Sequence, residues 1–346
     1  MRYIWNELEE WTQKGKVFAL ARVIQTWGSS PRSAGSAMLV GTDMEVAGSV
    51  SGGCIEGAVI EEARQVIEQG EARRLTYGVE DETAWSVGLS CGGEVSVWVE
   101  RHLAFAETAA TRDVWQALRQ AVRGNRPTIL LTPLEQGERG HLLVDLEEDE
   151  IVGDWGDLAD AAFEKARDAY VRRQNEIVEL AGRDVFVQVF PRRDQLLIVG
   201  AGHIAIPLVQ FAQALEFETT VVDPRRVFAT EERFPVAPDR LVAQWPEAAL
   251  GDMELNDDTY AVLLTHDPKI DDQALHLLLG APLRYIGALG SRKTHAKRCE
   301  RLCEAGFGEA EIGRIKGPVG LDIRAKSPAE IALSIAAEMV VARRSR

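Results

Sequence analysis

Two sets of residues in this chain have types and spacings suited to chemistry. The first is Gln195-Leu-Leu-Ile-Val-Gly-Ala-Gly-His-Ile-Ala205, where strand-forming residues run into Gly200-x-Gly202-x-x-Ala205 and then into an apolar helical pattern. Such a turn suits a dinucleotide. The first glycine allows the sharp bend, the second lets a pyrophosphate approach the main chain, and a small third residue lets helix and strand pack closely. Free N–H groups at the helix start then face the phosphates. The acidic residue expected roughly 20 positions on is Asp223, which ends Thr219-Thr-Val-Val-Asp223. Its carboxylate favours a ribose hydroxyl, as in NAD, whereas Arg225 and Arg226 could receive the 2′-phosphate of NADP; the sequence leaves the two open.

The second set is three small-residue loops: Thr26-Trp-Gly-Ser-Ser-Pro-Arg32, Gly48-Ser-Val-Ser-Gly-Gly-Cys-Ile-Glu-Gly57 and Leu89-Ser-Cys-Gly-Gly93. Backbone N–H groups in such loops can wrap a phosphate or another oxyanion. Gly52, Gly53, Gly92 and Gly93 are the main-chain candidates, and Arg32 is a candidate fixed charge. Cys54 stands just before a predicted helix, whose positive end favours a thiolate. Cys54 is preceded by two glycines and Cys91 is followed by two. Two cysteines each beside Gly-Gly point to a shared reactive or ligand-binding thiol site. The plainer alternative is that the glycines serve tight turns and the cysteines are small buried residues.

Further candidates follow strands in the C-terminal half. Leu264-Thr-His-Asp-Pro268 places His266 and Asp267 at the carboxyl edge, where ligands bind in open α/β sheets; His266 is a candidate proton carrier. Gly287-Ala-Leu-Gly-Ser-Arg-Lys293 combines helix-start N–H groups with Ser291, Arg292 and Lys293, where an anion could sit. His295, Cys299 and Cys303 recur every four residues, but they span ~12 Å of helix axis and cannot converge on one ion without bending. The chain has no G-x-S-x-G elbow and no P-loop, which argues against a serine hydrolase or a standard NTPase.

These residues need elements to hold them. Trp5 to Lys14 is predicted helical, Val17 to Val23, Met38 to Gly41, Glu45 to Val50 and Glu94 to Glu100 read as strands, and Ile55 to Glu68 and Thr111 to Arg123 are amphipathic helices. Thr128 to Thr132, His141 to Asp145 and Val185 to Phe190 are further strands, with a long polar helix from Leu158 to Leu180. From Gln195 strands and helices alternate as in a doubly wound parallel sheet, with Ala261 to Thr265 and Tyr285 to Leu289 as buried strands. Ser327-Pro-Ala-Glu330 opens the final helix with a capping box. The expected fold class is α/β: an N-terminal α+β domain over 1–190, a linker at Pro191–Asp194, and a Rossmann-like domain over 191–346.

The 346 residues are 46% hydrophobic with a net charge of −15. That acidity argues against nucleic acid or an anionic membrane as partner, since either needs a clustered positive surface. No apolar stretch reaches the ~18 residues of a membrane span, and Met1-Arg-Tyr-Ile-Trp-Asn-Glu7 lacks a signal-peptide core. A cytoplasmic protein with its four cysteines as thiols is expected.

Taken together the motifs resemble the xanthine dehydrogenase accessory factor family, also called XdhC/CoxI. The resemblance rests on Gly28-Ser-Ser-Pro-Arg32, Gly48 to Glu56, Leu89 to Gly93, Gly200-Ala-Gly-His203, Val222-Asp-Pro-Arg225, Thr265-His-Asp267, Gly290-Ser-Arg-Lys293 and Gly317-Pro-Val-Gly-Leu-Asp-Ile323. It implies a maturation factor that binds molybdenum cofactor, protects it while a partner cysteine desulfurase installs its terminal sulfur, and delivers it to a molybdenum hydroxylase apoprotein. It implies Cys54 as the residue holding molybdenum or sulfur, a role for Cys91, and His203 and Asp322 as binding positions. Arg324 departs from the small residue, usually glycine, expected after Gly-Leu-Asp-Ile. The chain reads as a cofactor-binding chaperone, with a homodimer completing its site; the alternatives are an NAD(P)-dependent oxidoreductase using His266 and a nucleotide-sensing interaction protein.

Overall fold

Alternating and wholly apolar runs in the first half become antiparallel strands. In the computed structural model, which describes residues 1–28, 32–78, 93–135, 140–251 and 253–345, the chain forms two units, Met1–Arg192 and Arg193–Arg346. The first unit holds two antiparallel sheets. One comprises β1 (Phe18–Trp27), β2 (Ala37–Gly41), β3 (Val46–Gly48), β4 (Arg73–Tyr77) and β5 (Glu94–Arg101), in the order β3-β2-β1-β5-β4. After helix α1 (Trp5–Gln13), helix α2 (Glu56–Gln69) covers this sheet, burying Val59, Ala63 and Val66 against Val23, Val40 and Val97. Its apolar residues recur every three to four positions, which gives one buried stripe.

The other sheet comprises β6 (Thr128–Pro133), β7 (Leu142–Asp145), β8 (Glu150–Val152), β9 (Glu176–Leu180) and β10 (Arg183–Phe190), in the order β8-β7-β6-β10-β9. Helix α3 (Ala109–Arg123) joins α1 in a core with Phe18, Leu20, Leu130 and Leu143, while α4 (Ala159–Arg172) lays Ala162, Ala166 and Ala169 on the opposite face. Leu158 to Leu180 is therefore not one helix. It stops at Arg173, which is left-handed at φ 49, and Glu176–Leu180 pairs with β10. Asn175 accounts for the stop: its amide donates to Ala34 O at 2.9 Å and accepts from Val189 N at 2.7 Å, and β-branched Ile177 and Val178 then suit a pleated strand.

The strands of the second unit are parallel, and those at the centre of its sheet are largely apolar and buried on both faces. In chain order the strands are β11 (Gln195–Val199), β12 (Glu218–Val222), β13 (Arg240–Val242), β14 (Thr259–Leu263), β15 (Tyr285–Ala288) and β16 (Ile315–Lys316). Their order, β13-β12-β11-β14-β15-β16, is the Rossmann-like doubly wound one, and its direction reverses between β11 and β14, the point where ligands bind in such sheets. Helices α5 (Ala205–Ala214) and α10 (Pro328–Arg344) lie on one face with Leu196, Ile198 and Val262. On the other face are α6 (Pro246–Leu250), α7 (Pro268–Leu279), α8 (Arg292–Glu304) and α9 (Glu309–Ile312), with Leu197, Leu263 and Ile286. The capping box of α10 forms between Ser327 and Glu330. Among the described residues no helix is long and apolar enough to cross a membrane.

Candidate functional site

The turn after β11 needs its first glycine twice over. Gly200 has φ 109, and a Cβ there would stand 2.7 Å from Thr265 Cγ2, so the loops that follow β11 and β14 touch at the switch point. A Cβ at Gly202 would meet nothing within 4 Å. The space that a pyrophosphate requires in front of the second glycine is thus present, and buried Ala205 lets α5 approach the sheet.

Asp223 is fully buried at the end of β12, and its carboxylate faces the loop. Ala201 N donates to Oδ2 at 2.8 Å; Arg225 donates from its backbone N at 2.9 Å and from Nε and Nη2 at 2.9 and 2.8 Å. Burial opposes ionisation, but the Arg225 fork and the two N–H groups prevail and hold the carboxyl below its usual range. The Ala201 bond ties Asp223 to the glycine turn and the Arg225 bonds hold the loop after β12, so in this conformation the residue expected to meet ribose is a brace. Arg225 and Arg233 both stack on Phe228, at 4.5 and 5.0 Å from its ring centre, and Arg233 also donates to Ala201 O at 2.7 Å. His203 is exposed beside this turn.

At the carboxyl edge, His266 is exposed with φ 60. Asp267 caps α7, accepting from Lys269 N at 2.9 Å, and Ser291 caps α8, accepting from Thr294 N at 3.1 Å; both have structural duties. Arg292 and Lys293 are exposed in the first turn of α8. His266 and Lys293 line one cavity of about 220 Å³. Asp322 lies exposed in a separate loop and accepts from Arg324 N at 3.3 Å. Arg324 itself has φ 58, the left-handed region that favours the glycine implied by the family resemblance. Glu338 holds this loop, accepting from Gly320 N at 2.9 Å and from the Tyr285 hydroxyl.

In the first unit the loop before α2 carries Cys54, a free thiol that is half-buried at the margin of the core beneath α2. The sequence places oxyanion-binding N–H groups here, and the structure shows them already engaged. Glu56 accepts from Ser51 N and Gly52 N, each at 2.9 Å, from Gly53 N at 2.8 Å and from the hydroxyls of Ser49 and Ser51. Burial pushes its pKa up, but these donors outweigh that and bring it to about 2. Ser51 Oγ in turn accepts from Cys54 N and Ile55 N, both at 3.1 Å. The thiol therefore rides on a loop tied down from both sides. Gly52 and Gly53 have φ 91 and 121, conformations that L side chains rarely adopt. Arg32 is exposed, 5.8 Å from the Tyr3 ring centre. Cys91 and Gly92 lie outside the described residues, and Gly93 is buried immediately before β5.

Sequence reasoning missed Glu56. The available signal was an acidic residue in the first helical turn directly after a glycine pair, where N–H groups need an acceptor. It also missed a buried polar chain in the first unit: Arg22 pairs with Glu100, which meets His141 Nε2 at 3.0 Å and accepts from Trp98 Nε1 at 3.1 Å. Burial resists the charge on Glu100, but His141 and Arg22 bring its pKa to about 2. Trp98, Glu100 and His141 line a groove of about 720 Å³. In α8, His295 Nε2 lies 3.6 Å from Cys299 Sγ, burial pushes that thiol up, and Cys303 is exposed. Among the described residues no group of three His, Cys, Asp or Glu side chains could hold a metal ion.

Known proteins share this architecture. The model described as "XdhC and CoxI family" matches residues 11–78, and that described as "XdhC Rossmann domain" matches 196–339. A protein of Bacillus subtilis described as a probable xanthine dehydrogenase subunit is 29% identical, over 94% of this chain and 93% of its own. The molybdenum cofactor insertion chaperone PaoD of Escherichia coli is 26% identical, over 95% and 84%. A crystal structure of a xanthine dehydrogenase from Bacillus halodurans superposes with a TM-score of 0.80 at 28% identity, covering 99% of this chain and 96% of that one. With its thiol-bearing glycine loop in one matched segment and its glycine turn in the other, the chain belongs to the XdhC and CoxI family.

Proposed function

We propose that this protein is a molybdenum cofactor chaperone that holds the cofactor while its terminal sulfur is installed and passes it to a xanthine dehydrogenase-type molybdenum hydroxylase. The similarity to PaoD supports the class of activity. The observation that carries the reading is Cys54: a free, half-buried thiol on a loop fixed by the Glu56 bonds. A soft sulfur ligand suits molybdenum or its sulfur, and a fixed loop presents it without a large ordering cost. The loop leaves room for a guest, since a Cβ at Gly53 would meet nothing within 4 Å.

In this proposal the open turn at Gly202 and the start of α5 take the phosphates of a nucleotide, whether NAD(P) or a dinucleotide form of the pterin. Asp223 and Arg225 keep that turn in shape. A partner cysteine desulfurase supplies the sulfur, a homodimer is the working form, and no turnover of substrate is required of the chain itself.

The test is to purify the protein from cells making molybdenum cofactor and identify bound ligand by mass spectrometry, with Cys54→Ala in parallel. The wild type should retain pterin and the variant should lose it while keeping the same circular dichroism spectrum. Absence of pterin from both would overturn the proposal.

A further inference from the structure

The cavity between α7 and α8 carries more positive charge than the fold requires. Lys293, Lys297, Arg298 and Arg301 line it with His266, opposed within the lining by Asp271. Lys293, Lys297 and Arg301 recur every four residues, so like charges stack on one face of α8, an arrangement that weakens a helix by a few tenths of a kcal/mol per pair. Arg301 is neutralised by a fork to Asp272 at 2.6 and 2.8 Å. Lys293 and Lys297 form no ion pair among the described residues.

Arg298 is the decisive residue. It is 2% exposed, yet its Nε and Nη1 have no hydrogen-bond partner among the described residues. Only Nη2 is engaged, with Leu289 O at 2.9 Å and weakly with Asp271 Oδ2 at 3.5 Å. Asp271 is itself bound by the Thr265 hydroxyl at 2.5 Å, and burial raises its pKa, which softens its opposition to an anion. A buried guanidinium with idle donors is costly unless something completes it. The capped start of α8 adds N–H groups and its positive dipole end on the same side.

We infer that this cavity is a phosphate subsite, in which Arg298, Lys293 and Lys297 hold a phosphoryl group of the guest of the Rossmann-like unit. At about 220 Å³ it is smaller than the roughly 300–1,000 Å³ of a whole-ligand pocket. It therefore takes one charged group of a larger molecule and leaves the remainder outside. The inference rests on the reading of this unit as a binder of phosphorylated guests and not on Cys54.

Inorganic phosphate, pyrophosphate and AMP are to be titrated calorimetrically into the full chain at low salt, using wild type, K293Q/K297Q, R298K and Cys54→Ala. The double variant changes only exposed side chains, so it folds if the wild type does. Phosphate and pyrophosphate should bind at least tenfold more weakly to K293Q/K297Q, R298K should fall between, and Cys54→Ala should match wild type. Tighter binding of AMP than of phosphate identifies a nucleotide as the source of the group, and equal binding identifies a phosphoryl group from another molecule; both support the subsite. Equal affinity of wild type and double variant, or no binding by either, overturns it. Because no pterin is present, that failure is separable from failure of the Cys54 proposal.

Discussion

At the residue scale, two carboxylates do work that their positions disguise. Glu56 turns back into the glycine loop before it and satisfies its N–H groups, and Asp223 accepts the Ala201 N–H of the glycine turn that follows β11. Removing the charge of Glu56 leaves those donors with a weaker acceptor, so Glu56→Gln should cost about 1–3 kcal/mol at neutral pH, measured by urea unfolding. The pH dependence follows. Glu56 sits at about 2 when folded against 4.5 ordinarily, so the unfolded chain binds the extra proton and stability rises with pH in this window. The contribution is complete above about 4.5 and drains away as pH falls toward 2. The difference in unfolding free energy between wild type and Glu56→Gln should shrink from pH 6 to pH 3; a constant difference would show that the charge is not what holds the loop. The two glycines of the other turn separate in the same way. Gly200→Ala meets both a left-handed φ and Thr265 and should destabilise by about 1–3 kcal/mol, whereas Gly202→Ala should leave the urea midpoint nearly unchanged and weaken nucleotide binding.

At the element scale, the parallel strands of the second unit were legible because Leu196 to Val199 and Ala261 to Leu264 are apolar on both faces, and the capping box at Ser327 announced the last helix. The first unit was harder to read. The segment Glu176-Ile-Val-Glu-Leu180 has too much charge to stand out as a strand, and its preceding helix ends through Asn175, whose partners Ala34 and Val189 are distant in sequence. Strand β4 was hidden likewise, since Arg73-Arg-Leu-Thr-Tyr77 lies at an edge and stays half-exposed. The candidate site was legible as loops and not as bonds. The glycine positions follow from local spacing, but which way Glu56 and Asp223 face depends on donors that only the folded loop creates. Asn175→Ala should therefore cost about 1–3 kcal/mol, as a half-buried bridge with two lost bonds. Asp267→Ala should cost about 1 kcal/mol as a lost cap while Asp267→Asn costs little; equal losses in the two would point away from capping.

At the scale of the whole molecule, each unit has cores of its own, with Leu196, Leu208 and Val262 among those of the second and Phe18, Trp115 and Leu130 among those of the first. Residues 193–346 produced alone should fold cooperatively. Trp245 is the only tryptophan after residue 192, so tryptophan fluorescence reports mainly the first unit, and Glu56→Gln should move that signal. The net charge of −15 makes the local positive charge along α8 more telling, because it runs against the field of the chain.

In the proposed function the Cys54 thiol meets the molybdenum cofactor. Alkylation of the full chain by iodoacetamide, followed peptide by peptide with mass spectrometry, tests it directly, with exposed Cys303 as the internal control. Added cofactor should slow modification of Cys54 at least tenfold and leave Cys303 unchanged. Equal rates at Cys54 with and without cofactor, under conditions where the cofactor is bound, would contradict it.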